Sequence, residues 1–248
     1  MKTILKVAIF PALLLALASV AYADSITLNS SGGTSNFTNG TLKYLGTAPL
    51  NAGYATTLVA PTSPTTASTS SSSYDVASNG VWTSAIAGTS WVSNSPYSGP
   101  ASTSGPDGSV VDPNGFYYYS TTFTAAGGAT PYSGTINVMA DDTAEILLNG
   151  VVIVPFAAIG NDNHCANNVP NCTTVDSISL SGILLNSGTN TLEIIDAQTG
   201  LSAAGVDFSA NLTQTPEPSS LLLLGTGFLG LAFALFRKNK PSGLVLHS

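Results

Sequence analysis

From Tyr74 onward the chain becomes ordered into short strand-like stretches, some of which alternate apolar and polar side chains with a period of two, the pattern of strands that bury one face. In GVDFSANLT, Val206, Phe208, Ala210 and Leu212 fall on one side and Asp207, Ser209, Asn211 and Thr213 on the other, which predicts a solvated outer face. SGTINVMADD puts Ile136, Val138 and Ala140 on one face, and FYYYSTTFT (116–124) is strongly strand-forming through its aromatic and Thr content. TAEILLNGVVIVPFA holds two apolar runs joined at Asn149-Gly150, a dipeptide that accepts the positive φ of a tight hairpin. DSISLSG and TNTLEIIDA supply two further strands, and SITLNS, TLKYLG and YATTLVA are shorter candidates toward the N-terminus. TSPTTASTSSSS (62–73) has almost nothing to bury and reads as a Ser/Thr-rich loop or linker whose hydroxyls could carry glycans. Trp82 and Trp91, in NGVWTSAIAGTSWVS, are expected in or at the rim of the core, with a sugar-stacking platform as the alternative.

Short strands at frequent spacing with Gly, Pro and Asn turns predict an all-β fold, an antiparallel jelly-roll-like β-sandwich over residues 24–213. Two apolar segments flank it. At the N-terminus, Lys2 and Lys6 precede an apolar run from Val7 to about Val20, and Ala21-Tyr22-Ala23 then offers a small-residue cleavage site, so residues 1–23 predict a secretory signal peptide cut after Ala23. At the other end, Ser219 to Phe236 carries no charge, and at the ~1.5 Å rise of a helix it covers roughly 27 Å, close to a ~30 Å hydrocarbon core. It predicts one transmembrane helix over about 219–236, with Arg237, Lys238 and Lys240 as the cytoplasmic basic stop and residues 241–248 as a cytoplasmic tail. Gly225-Thr226-Gly227-Phe228-Leu229-Gly230 spells G-x-G-x-x-G, but no strand precedes it and no acid follows at the needed distance, so a dinucleotide site is not expected.

Pro216-Glu217-Pro218, the apolar helix and the basic cluster, in that order and behind a signal peptide, resemble the PEP-CTERM sorting signal of Gram-negative bacteria, here over residues 214–240. The resemblance implies recognition of the tripeptide by a membrane-embedded exosortase, removal of the helix, and a final place at the cell surface or in the extracellular matrix. The eight residues after Lys240 are more than members of that family usually carry. The phrases ADDTAEILLNGVVI, SGTNTLEIID and GVDFSANL are similar to galactose-binding-like jelly rolls, a superfamily that includes many carbohydrate-binding modules.

Charge narrows the partners. Between Asp24 and Phe236, Lys43 is the single base against all thirteen Asp and Glu, a formal charge of −12 that repels phosphate backbones and excludes nucleic acid. Cys165 and Cys172 are the only cysteines, and in an oxidising exported compartment a disulfide is expected; a metal site using both thiols with His164 and Asp162 is the alternative. Asp141-Asp142 at a strand end, near Asn161, Asp162, Asn163, Asn167 and Asn168, supplies hard oxygen ligands suited to calcium. The pair also resembles the Asp-Asp motif of protective-antigen-like lectin domains, where calcium bridges to sugar hydroxyls; an acidic turn capping the strand is the alternative. Enzyme chemistry is not expected: His164 is the sole histidine ahead of the tail, and Glu145 and Glu193 sit within alternating strands. Two functions remain, a structural or adhesive surface or matrix protein associated with exopolysaccharide, and a calcium-assisted carbohydrate-binding module.

Overall fold

The computed structural model describes residues 23–54, 57–100, 112–128, 131–159, 165–215 and 219–238. Two units are described, one from Asp24 to Gln214 and one formed by the two ends of the chain. In the first, β1 (Ser25–Asn29), β2 (Lys43–Ala48), β3 (Thr66–Ala67), β4 (Tyr74–Val76), β5 (Trp91–Ser93) and β6 (Gly115–Ala125) precede β7 (Tyr132–Asp141), β8 (Thr143–Leu148), β9 (Val151–Val154), β10 (Asp176–Ile183), β11 (Gly188–Gln198) and β12 (Gly205–Gln214). They build two six-stranded sheets, one ordered β10-β7-β12-β5-β4 with β1 also on β12, the other ordered β3-β2-β6-β11-β8-β9. Every pairing between these strands is antiparallel.

The inward faces of both sheets share one apolar core. Ile136, Val138, Val206, Phe208 and Leu212 from one sheet meet Tyr119, Ile146, Leu192 and Ile194 from the other. Burying each such large side chain contributes roughly 1.5–3 kcal/mol before chain entropy is set against it. The architecture is therefore the expected antiparallel β-sandwich, with the alternation of β7 and β12 placing the anticipated residues inward. The hairpin at Asn149-Gly150 also forms, with φ of 50° and 78° at the two positions.

Three expectations are corrected. The outer face of β12 is solvated only at Asn211 and Thr213, as expected; over its first half lies the segment carrying Trp82 and Ile86, so Asp207 is fully buried, accepting hydrogen bonds from Ser30 Oγ (2.8 Å) and the Ile86 N–H (2.7 Å), and Ser209 is buried beside it. YATTLVA forms no strand over residues 57–60; there the Asn51 side chain donates to the Thr57 carbonyl and accepts from the Val59 N–H, both at 2.9 Å, so these backbone groups are met by a side chain instead of a neighbouring strand. The Ser/Thr-rich run 62–73 is also more than a linker. Its Thr66–Ala67 pair with β2, the Ser71 carbonyl accepts from the Tyr44 N–H, and Ser73, buried, donates to the Leu42 carbonyl at 2.6 Å.

In the second unit, helix α1 spans Ser219–Lys238 over the segment expected to be helical. Among the described residues no helix is long and apolar enough to cross a membrane. Ala21, Pro216, Glu217, Pro218, Lys240 and residues 241–248 lie outside the described residues, as does the rest of the proposed signal peptide apart from Ala23.

Candidate functional site

Polar groups gather where β6 and β12 begin and β7 and β11 end. Asp141 closes β7, and the Asp141-Asp142 peptide is cis. Both carboxylates are buried. Asp141 Oδ2 accepts from the Trp82 indole Nε1 at 2.5 Å, whereas Asp142 Oδ2 accepts from both the N–H and the Oγ1 of Thr199, each at 2.6 Å. The Asp142 N–H donates to the Ala197 carbonyl and its own carbonyl accepts from the Ala166 N–H, both at 3.1 Å. The pair thus ties β7, the end of β11 and the cysteine loop into one corner. Asn167 and Asn168 are exposed, and Asn161, Asp162, Asn163 and His164 lie outside the described residues.

The expected cysteine pair is joined: Cys165 and Cys172 form a disulfide with a Cα–Cα distance of 5.6 Å. Cys172 packs with Trp82, Trp91 and Met139 in a satellite core, where the two indoles lie 4.4 Å apart, so both tryptophans are core residues and not an exposed platform.

Two acids escaped the sequence reading. Asp196, fully buried, stands across from Tyr117 on β6 and Ala144 on β8, and neither of its oxygens has a hydrogen-bond partner among the described residues. Burial, then the nearby Asp141, Asp142 and Asp112, holds its carboxyl well above the usual carboxylate range. Asp112 accepts from Ser98 Oγ at 3.0 Å, and burial pushes it up to about 6. The signal for Asp196 was in the sequence, since it continues the inward series Leu192, Ile194 by two residues. Asp112 had no such signal, because it precedes β6 in a loop.

Beside this corner a cavity of about 390 Å³ opens between β2, β3 and the start of β6. Tyr44, Thr47, Thr66, Asn94, Asn114 and Tyr117 contribute its polar and aromatic lining, and no charged side chain lines it among the described residues. Burial and the neighbouring Asp112 raise the Tyr44 hydroxyl to about 12, so it stays a neutral donor.

At the chain ends, Asp24, which would begin the processed chain, is tied in: its carboxylate accepts from the Ala126 N–H (2.9 Å) and the Tyr132 hydroxyl (2.7 Å), which lower its pKa, and its carbonyl accepts from the Gln214 N–H at 2.8 Å. Ala23 and Arg237 are exposed.

Residues 214–238 match the PEP-CTERM protein-sorting motif. No curated protein matches the chain. Among solved structures, the chain is similar to the Podospora anserina GH26-CBM35 β-(1,4)-mannanase (17% identity, 59% of this chain, 28% of that one, TM-score 0.30). It is likewise similar to a family 35 carbohydrate-binding module from Clostridium thermocellum (14% identity, 51% and 78%, TM-score 0.28) and to a β-glucosidase from Kluyveromyces marxianus (16% identity, 44% and 13%, TM-score 0.26). The chain thus spans less than a third of the mannanase and of the glucosidase, and at these TM-scores the likenesses carry no argument about ligand.

Proposed function

We propose that the chain is an exported surface or extracellular-matrix protein, structural or adhesive, whose β-sandwich is displayed through its PEP-CTERM signal after processing by an exosortase of a Gram-negative bacterium. The carrying observation is the sorting motif at 214–238, which begins at the last residue of β12. Pairing of Ser25 with Thr213 closes the sheet just upstream, so removal of everything beyond the tripeptide would leave every strand intact. In this reading α1 holds the precursor in the membrane until cleavage; support comes from the uncharged sequence 219–236, including four consecutive leucines from Leu221, followed by Arg237, Lys238 and Lys240. The two prolines around Glu217 are poor helix formers, which in this reading favours an extended scissile segment for the processing enzyme.

Replacing Glu217 by Ala is expected to leave a larger, membrane-retained form in cells that carry an exosortase, visible by immunoblot of membrane and medium fractions. Release at the wild-type level would overturn the reading.

The cavity favours a second reading, a carbohydrate-binding module. Its volume lies within the usual ~300–1,000 Å³ range of ligand sites, and a lining of Tyr, Asn and Thr without charge suits a neutral polyhydroxylated ligand such as a segment of exopolysaccharide. Calcium at Asp141 and Asp142 would belong to this reading by holding the same corner. A glycan array probed with wild type, Thr66→Trp and Asp142→Asn, with and without chelator, tests both parts. Binding to neutral glycans is expected to be lost when Thr66→Trp fills the cavity mouth and to fall with chelator or Asp142→Asn. Binding indifferent to chelator removes calcium from the reading, and no binding at all removes the reading.

A further inference from the structure

We propose that Cys165, Cys172 and Asp141 form a redox-gated site for a borderline-soft divalent cation such as zinc, closed as a disulfide when oxidised and opened as a two-sulfur, one-oxygen ligand set when reduced. The two Sγ atoms and a carboxylate oxygen of Asp141 all lie within 4.8 Å of one another. Tetrahedral zinc with sulfur at ~2.3 Å and oxygen at ~2.0–2.2 Å needs its ligand atoms about 3.5–3.8 Å apart, so reduction must first let the two bonded sulfurs rotate away from each other toward the Asp141 carboxylate.

The surroundings are those of a built metal site. The Trp82 indole N–H holds the Asp141 carboxylate at 2.5 Å, as outer-shell donors orient metal-ligating carboxylates. Trp82, Trp91 and Met139 supply an apolar wall that limits water. Cys172 is buried while Cys165 is half-buried, so a cation would approach from the Cys165 side, with water as its fourth ligand. Backbone hydrogen bonds fix the loop independently of the sulfur bond: Ala166 N–H to the Asp142 carbonyl (3.1 Å), Ala140 N–H to the Asn171 carbonyl (3.2 Å) and Thr83 N–H to the Cys172 carbonyl (2.9 Å). The thiols therefore stay together once the bond between them is gone.

The chemistry balances with a named reductant. A water-soluble phosphine donates two electrons to the disulfide and takes an oxygen from water, leaving two thiols and a phosphine oxide. Metal binding then displaces the two thiol protons to solvent, and two thiolates with one carboxylate face a dication. Thiolate donors select zinc over calcium or magnesium, and the oxidised state, with one carboxylate only, retains neither thiolate. The consequence is a loop held closed in both redox environments, by metal where the thiols persist and by the disulfide where they are oxidised. This inference does not rest on the sorting reading.

Cobalt(II) is the probe. The full-length chain, in a detergent and freed of phosphine after reduction, is titrated with cobalt under argon and followed by the near-ultraviolet thiolate-to-cobalt absorption. One cobalt per chain is expected in the reduced protein and none of that absorption in the oxidised protein. Trp82→Phe, which removes the orienting donor along with part of the packed indole, is expected to weaken binding about 10–100-fold, and Asp141→Asn, which keeps the shape of the side chain and leaves the core packing intact, at least about tenfold. Absence of the absorption in reduced wild type overturns the proposal. Equal affinity in wild type, Trp82→Phe and Asp141→Asn overturns it too, since the cysteines would then bind without the carboxylate.

Discussion

Lowering the pH from about 7.5 to about 4.5 is expected to stabilise the folded β-sandwich, against the usual course of acid destabilisation. Burial raises the Asp112 carboxyl from 3.8 to about 6, so across this window the folded chain binds a proton that the unfolded chain does not. Stability linked to such a group is fully present below the unfolded value and is lost as the pH rises through the folded one. The whole shift corresponds to about 3 kcal/mol, of which about 2 kcal/mol is recovered by pH 4.5. Asp196 and Asp207, also raised by burial, act in the same direction. Asp24 opposes them, because its hydrogen-bonded carboxylate is lowered, but its loss begins only below its unfolded value of 3.8. Thermal melts across this window should show a rise of roughly 5 °C from Asp112 alone, and Asp112→Asn should flatten part of it. A melting temperature that falls steadily on acidification would show that these carboxyls are ionised in the fold.

Gly40→Ala is expected to be among the most damaging small substitutions in the sandwich. Gly40 has φ of +102°, and an added Cβ would stand 2.0 Å from the Asn29 carbonyl oxygen and 2.6 Å from the Asn29 nitrogen. Its N–H donates to Thr121 Oγ1 at 3.1 Å and its carbonyl accepts from the Ser31 N–H, so the turn is pinned against β6 and cannot swing away. Asn29 is the last residue of β1 and pairs with Ser209, so displacing it loosens β1 from β12. Backbone strain of about 1–3 kcal/mol and overpacking of about 1–3 kcal/mol combine to roughly 3–5 kcal/mol, a fall of about 10 °C in melting temperature. Gly150→Ala is the control: φ is +78° but nothing lies within 4 Å of the added carbon, so only the strain remains. Equal losses in the two variants would show that the Asn29 contact relaxes freely.

By itself, the sequence determined what is local in the chain. Strand alternation placed Val206, Phe208, Ile136 and Val138 in the core because a side chain's face follows from its parity along a strand. Asn149-Gly150 specified its hairpin through the φ values those two residues accept, and the order of tripeptide, apolar helix and base marked the sorting motif because that signal is a linear one. Tertiary structure alone decided what depends on which segment covers which. Asp207 had the parity of a solvated residue and is buried because the Trp82 segment folds over it. Asp141 and Asp142, adjacent in the chain, serve different partners, an indole and a threonine, that lie 59 and 57 residues away. The cavity draws Tyr44, Asn94 and Tyr117 from three distant stretches, and among the described residues the carboxylate beside the cysteines is Asp141, from the end of β7. Parity and turn chemistry act over a few residues and can be read along the chain, whereas desolvation and side-chain encounters depend on the packing of segments whose separation no local pattern encodes.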